Sequence, residues 1–231
     1  MGGVISILLL GISFGLVYFL LAAGMTLTMG LLRVVNMSHG AIFLFSGYCG
    51  VWMYTITGGW LWGVLFGTLV GAALGFLLEV IFLRHLYSNP AGQVLLTIGF
   101  IYILQNVVQW IWGGFPMSVP AVPFLTGAVD IGGSKVPTSR FFIIAVGIII
   151  AVAVWVIQDK TKIGAMVRAG MDNGEISSAM GLDRRKIFLL VFVLGSAIAG
   201  LAAMVGGTLT GLESSTGWSI LLNAIIVVVI G

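Results

Sequence analysis

The chain has 231 residues, of which 60% are hydrophobic and only 7% charged, with a formal net charge of +3. So little charge at this length excludes a water-soluble globular fold. One cysteine, Cys49, excludes an internal disulfide and reads as a small packing residue, and ten Lys/Arg scattered between apolar runs read as topology signals rather than a nucleic-acid footprint.

Runs free of Asp, Glu, Lys and Arg cover Met1 to Leu32, Val34 to Leu78, Leu86 to Val129, Phe141 to Gln158, Ile187 to Leu212 and Ser214 to Gly231. A span needs roughly 20 apolar residues. The pattern predicts an all-α, polytopic transmembrane bundle of about seven spans, a single transmembrane domain over 1–231. Helices are expected near 4–30, 41–57, 60–83, 93–112, 141–158, 187–208 and 217–231. The N-terminus has no basic region ahead of its apolar run, and that run is longer than a cleavable signal's ~7–15 residues.

Between the first two spans, Arg33, Asn36, Ser38 and His39 fall within seven residues, with Gly30 and Gly40 outside them. Polar groups at membrane depth need partners or water. The segment is therefore either a simple turn at the membrane surface or a broken helix facing a translocation path, with Asn36 and His39 supplying hydrogen bonds. In the third span Gly63, Gly67, Gly71 and Gly75 recur every fourth residue. They predict a smooth helix face on which another helix packs closely, and Gly195, Ala199 and Ala203 repeat the device in the sixth span. Glu79 is the one acid expected inside a span, close enough to Arg84 to pair with it or to snorkel. Pro116, Pro120, Pro123 and Pro137 cannot continue a helix, so 113–139 is expected to be a structured external loop, a lid or docking rim.

The loop 158–186 holds six of the ten Lys/Arg. Placing it in the cytoplasm puts eight Lys/Arg inside (Arg33, Arg84, Lys160, Lys162, Arg168, Arg184, Arg185 and Lys186) and leaves Lys135 and Arg140 outside. The N-terminus is then outside. Two histidines, His39 and His85, with one cysteine make a poor metal-ligand set, and no cofactor is expected. No nucleophile with a His/Asp partnership can be assembled. A phosphate loop of the form G-x-x-x-x-G-K-S/T is absent, so the chain does not bind ATP in that manner.

Together these residues carry a resemblance. Gly24 to Gly40 (GMTLTMGLLRVVNMSHG), Thr97-Ile98-Gly99, the block from Thr161 to Ala169, then Glu175, Ala179, Gly181-Leu182 and the run from Phe192 to Gly200 resemble the inner-membrane permeases of branched-chain amino-acid ABC transporters. The likeness to this LivH/LivM type, and to the LivH-like member above all, covers essentially the whole chain. The chain departs from it at Ala41-Ile42, where members often carry an acidic residue, and it stops at Gly231 inside an apolar run, as a truncated fragment would.

The resemblance implies a non-catalytic transmembrane subunit of a bacterial or archaeal importer in the inner membrane. Its implied partners are a second permease, identical or different, two cytoplasmic ATPase subunits and an extracytoplasmic substrate-binding protein. It further implies that Arg168, Glu175, Ala179, Gly181 and Leu182 belong to a coupling loop that docks into an ATPase. Urea or short amides are alternative cargoes. A secondary transporter would show ion-coupling acids or a duplicated half; a channel would need no long docking loop.

Overall fold

The computed structural model describes residues 2–32, 36–113, 115–119, 126–172 and 183–230. Within them the chain folds as a polytopic helical bundle. Helix α1 spans Gly2–Leu32, α2 His39–Thr57, α3 Trp60–Leu77, α4 Pro90–Trp112, α5 Thr138–Lys160, α6 Lys162–Asp172, α7 Arg184–Thr210 and α8 Thr216–Ile230. Helix α3 continues through a π turn at Leu78–Phe82 and a tighter turn at Leu83–His85. Six helices among the described residues are long and apolar enough to cross a membrane, and α8 is a shorter apolar one.

Local chemistry sets the helix ends. Helix α2 stops at Gly58, whose φ of 67° is a left-handed cap. Helix α4 starts on Pro90, with the Asn89 side chain accepting from the Gly92 N–H at 3.0 Å. The Asp183 carboxylate accepts from the Arg185 N–H at 3.0 Å and starts α7.

Within the segment 113–139 the helical bundle carries one small two-stranded sheet among the described residues. Ala128–Ile131 (β1) pairs antiparallel with Ser134–Pro137 (β2), with Asp130 opposite Lys135. Gly132 and Gly133, at φ 60° and 85°, supply the two left-handed residues that a tight hairpin turn requires. Asp130 also accepts the Gly133 N–H at 2.8 Å.

The bundle is organised around α3 and α7. The four glycines at positions 63, 67, 71 and 75 are buried, while Leu61, Leu65 and Leu69 on the opposite face of the helix are exposed. A methyl group at Gly63 would lie 2.8 Å from the Gly50 carbonyl oxygen of α2, one at Gly67 3.0 Å from that of Ser46, and one at Gly75 2.8 Å from that of Phe192 in α7. Apolar side chains on both sides of this seam see either protein or lipid tails, so backbone proximity rather than burial from water drives the packing. Helices α1 and α7 meet in the same manner, with Gly24 and Gly195 each 2.8 Å by this measure from the other's carbonyl oxygen.

The pairings also fix direction. The Arg140 guanidinium donates to the carbonyl and hydroxyl of Ser6 at 3.3 Å, so α1 and α5 begin at one end, the hairpin end. Arg84, Lys160, Lys162, Arg168, Arg185 and Lys186 gather at the other, basic end, where α3 and α5 finish and α7 begins.

Candidate functional site

The polar segment before α2 lies deep in the bundle. Gly50 and Gly63 sit at one level, as do Ser46 and Gly67, so His39 falls near Leu74. That leaves α3 about 16 Å to run to His85, at 1.5 Å per residue. Gly40 touches Gly217 of α8, and the His39 ring lies 3.1 Å from where a methyl on Gly24 would sit. A turn at the membrane surface does not fit this placement. Irregular backbone at such depth is tolerated when buried in protein, and Asn36, Ser38 and His39 are each no more than 2% exposed.

Within the cluster, the Asn36 carbonyl oxygen Oδ1 accepts from the Ser38 hydroxyl at 2.5 Å and from its N–H at 3.1 Å, a turn that launches α2. Hydrogen-bonding capacity is left over. Among the described residues Asn36 Nδ2 has no partner and neither imidazole nitrogen of His39 completes a bond of normal geometry, although the Leu21 backbone acts on the ring as a hydrogen-bonding group. Arg33 lies outside the described residues.

At the basic end only Arg168 of the coupling-loop residues is described. Glu175, Ala179, Gly181 and Leu182 lie outside the described residues. The Arg168 guanidinium donates to the Gln158 carbonyl and pairs with Asp159 at 3.4 Å, which ties α6 to the end of α5. A cavity of about 380 Å³ lies between α1, α5, α6 and α7, lined mainly by apolar residues such as Leu27, Val154, Val167 and Ile198. Among the described residues Glu79 closes no ion pair with Arg84, whose charge still acts on it, and it does not snorkel. It is 2% exposed and accepts the Tyr87 hydroxyl, and that ring packs 4.7 Å from Phe188. Among the described residues no three His, Cys, Asp or Glu are grouped to hold a metal ion.

A second polar region escaped sequence reasoning. Between α7 and α8 the chain turns through Gly211 to Ser215. The Met117 and Leu212 backbones bond to each other at 2.6 and 3.0 Å, the Tyr48 hydroxyl donates to the Leu212 carbonyl at 3.1 Å, and Gln105 donates to the Ser214 carbonyl at 2.9 Å. The Tyr102 ring of α4 packs 6.0 Å from that of Trp218. Glu213 sits at this break, exposed, accepting from the Ser215 hydroxyl. The signal was present as a single acid inside an otherwise uncharged stretch from Ile187 to Gly231.

Comparison with known proteins fits this architecture. The family described as "Branched-chain amino acid transport system / permease component" matches residues 7–231. The high-affinity branched-chain amino acid transport system permease protein LivH of Escherichia coli (strain K12) is 23% identical over 214 residues, covering 87% of this chain and 70% of its own. The corresponding permease BraD of Pseudomonas aeruginosa is 22% identical over 210 residues, 85% of this chain and 68% of its own. A glucose ABC transporter permease protein, TsgB13 of Haloferax volcanii, is 32% identical over 112 residues, 45% of this chain and 29% of its own. No solved structure matches. With a family match running through all the spanning helices, the chain belongs to the branched-chain amino acid transport system permease component family, as a multi-pass inner-membrane protein.

Proposed function

We propose that this permease carries branched-chain amino acids inward, driven by two cytoplasmic ATPase subunits and fed by an extracytoplasmic binding protein, with a second permease completing the path. The family match over 7–231 carries the reading. It is supported by relatives named for branched-chain amino acid transport. The absence of an ATP-binding phosphate loop from the sequence suits a subunit that borrows its energy. The basic end faces the cytoplasm in this proposal, because eight of the ten Lys/Arg then lie inside. The hairpin and the N-terminus lie outside, with the hairpin region placed to meet the binding protein.

In the same proposal Asn36, Ser38 and His39 form the point at which the path opens. The unpartnered Asn36 Nδ2 and His39 nitrogens, with the His39 ring beside Gly24 at the contact of α1 and α7, support this. Unsatisfied buried polar atoms call for an explanation, and a second state in which solute or water reaches them provides one.

The test is uptake by proteoliposomes holding the full-length permease with its ATPase and binding-protein partners. Labelled leucine should accumulate only with ATP on the ATPase side and binding protein on the other. Uptake without ATPase would assign a channel or secondary carrier instead, and preference for urea, acetamide or glucose would reassign the cargo.

A further inference from the structure

The proposal above leaves the exposed acid between α7 and α8 without a role. Its depth can be gauged from α4. Gln105, which bonds to the adjacent Ser214 carbonyl at 2.9 Å, lies seven residues before Trp112, so Glu213 is set about 10 Å in from the hairpin end of α4 at 1.5 Å per residue. A carboxylate at that depth does not face lipid.

Its neighbours share this character. Asn106 and Gln109 of α4 are exposed, and with half-buried Gln105 they occupy one sector of about 100° on that helix. On the adjoining chain Ser215 and Ser219 are exposed one helical turn apart. Further along, the same stripe of α8 turns apolar at Leu222 and Ile226, and the other exposed side of α4 carries Ile103 and Ile111. Around the α7–α8 break, where Gln105 meets Ser214 and Tyr102 meets Trp218, both helices thus turn polar side chains outward.

We propose that this α4–α8 face lines the aqueous path and that the Glu213 carboxylate receives the ammonium group of an amino-acid substrate. The inference rests on the importer reading and sharpens it. A carboxylate only accepts, and it gains most from a cationic donor. A neutral sugar or amide has no need of a fixed negative charge here. The Asn106 amide and the Ser219 hydroxyl donate to the Tyr102 and Thr216 carbonyls at 2.7 and 3.1 Å, which leaves their oxygens to accept from water or from an ammonium donor.

A purely structural role for Glu213 also has support. It accepts from the Ser215 hydroxyl, and its N–H donates to the Thr216 hydroxyl at 2.9 Å, ordering the start of α8. Glu213→Gln keeps an acceptor at the same place and removes only the charge, so it separates the two roles. In proteoliposomes holding the complete transporter, E213Q should lower leucine uptake by about tenfold or more, the loss of one charge-assisted hydrogen bond. Assembly with the ATPase should stay at the parent level, and Glu213→Asp should recover part of the uptake. Leucine uptake by E213Q equal to the parent would overturn the proposal.

A second measurement locates the face. Asn106→Cys and Ser219→Cys, each in the Cys49→Ala background, should react with a charged, membrane-impermeant methanethiosulfonate, and leucine with binding protein should slow the reaction during turnover. Absence of reaction in both variants, resting and turning over, would mean the face is covered by lipid or by the second permease, and would sink the path assignment. Failure of the parent transporter to show ATP-dependent uptake of any amino acid would instead sink the importer reading beneath it.

Discussion

At the residue scale, the side chains before α2 combine a structural and a functional demand. Asn36 spends its Oδ1 on the turn that starts α2 and leaves Nδ2 unpartnered. Asn36→Ala removes that turn bond and should lower stability by about 1 kcal/mol, read as a fall in melting temperature of the purified permease. The His39 ring completes no bond of normal geometry among the described residues. His39→Leu keeps an apolar group of comparable bulk against Gly24, so the permease should reach the membrane at parent levels while leucine uptake falls several-fold. Undiminished uptake by H39L would reduce the ring to a packing group.

At the element scale, the glycine seam makes a contrast that one experiment can read. Gly71→Leu drives a side chain into the Ser196 carbonyl of α7, and Gly67→Leu into the Ser46 carbonyl of α2. Backbone atoms cannot yield as a flexible side chain can, so each should cost at least the 1–3 kcal/mol typical of overpacking, roughly, and lower the yield of monodisperse protein. Gly11→Leu and Gly99→Leu meet nothing within 4 Å and should be neutral. Equal behaviour of the two pairs in size-exclusion profiles and thermal melts would remove the seam's packing role.

The spanning helices were legible in the sequence because long uncharged runs have no stable alternative in a bilayer. The spacing of Gly63, Gly67, Gly71 and Gly75 named the helix face on which they lie, since a fixed period of four maps directly onto one side of a helix. The hairpin at 128–137 was less legible. Its signal is the Gly132-Gly133 pair between short β-branched stretches, and four nearby prolines masked it as irregular loop. The polar face of α4 and α8 was missed for a different reason. Gln105, Asn106 and Gln109 are uncharged and sit in a strongly apolar helix, so only their shared orientation, and the bond from Gln105 to Ser214 across 109 residues, joins them to Glu213.

At the scale of the whole molecule, orientation and coupling are one question, because in the proposed assembly the basic end faces the ATPases. Ser88 and Lys135 are exposed at opposite ends of the bundle. In the Cys49→Ala background, Lys135→Cys should react with an impermeant thiol reagent added to intact cells and Ser88→Cys only after the membrane is opened; the reverse pattern would invert the proposed topology. The proposed coupling loop is anchored on both sides. Near its start, Arg168 fastens α6 to the end of α5; near its end, Asp183 starts α7, the helix that packs on α1, α2 and α3. In the proposed mechanism a push on the loop would reach α7 and α1, whose Gly195–Gly24 contact borders His39. The half-exposed Arg168–Asp159 pair adds little by itself, about 0–1 kcal/mol, so Arg168→Ala should weaken coupling mildly. Gly181→Arg should act strongly, adding bulk and charge where small residues would let the loop enter an ATPase cleft, and Glu175→Lys should act less. The expected outcome is loss of substrate-stimulated ATP hydrolysis and of uptake, with the permease inserted at normal levels. Co-purification decides the matter: if the ATPase subunits still associate fully with Gly181→Arg and uptake is undiminished, the loop transmits nothing.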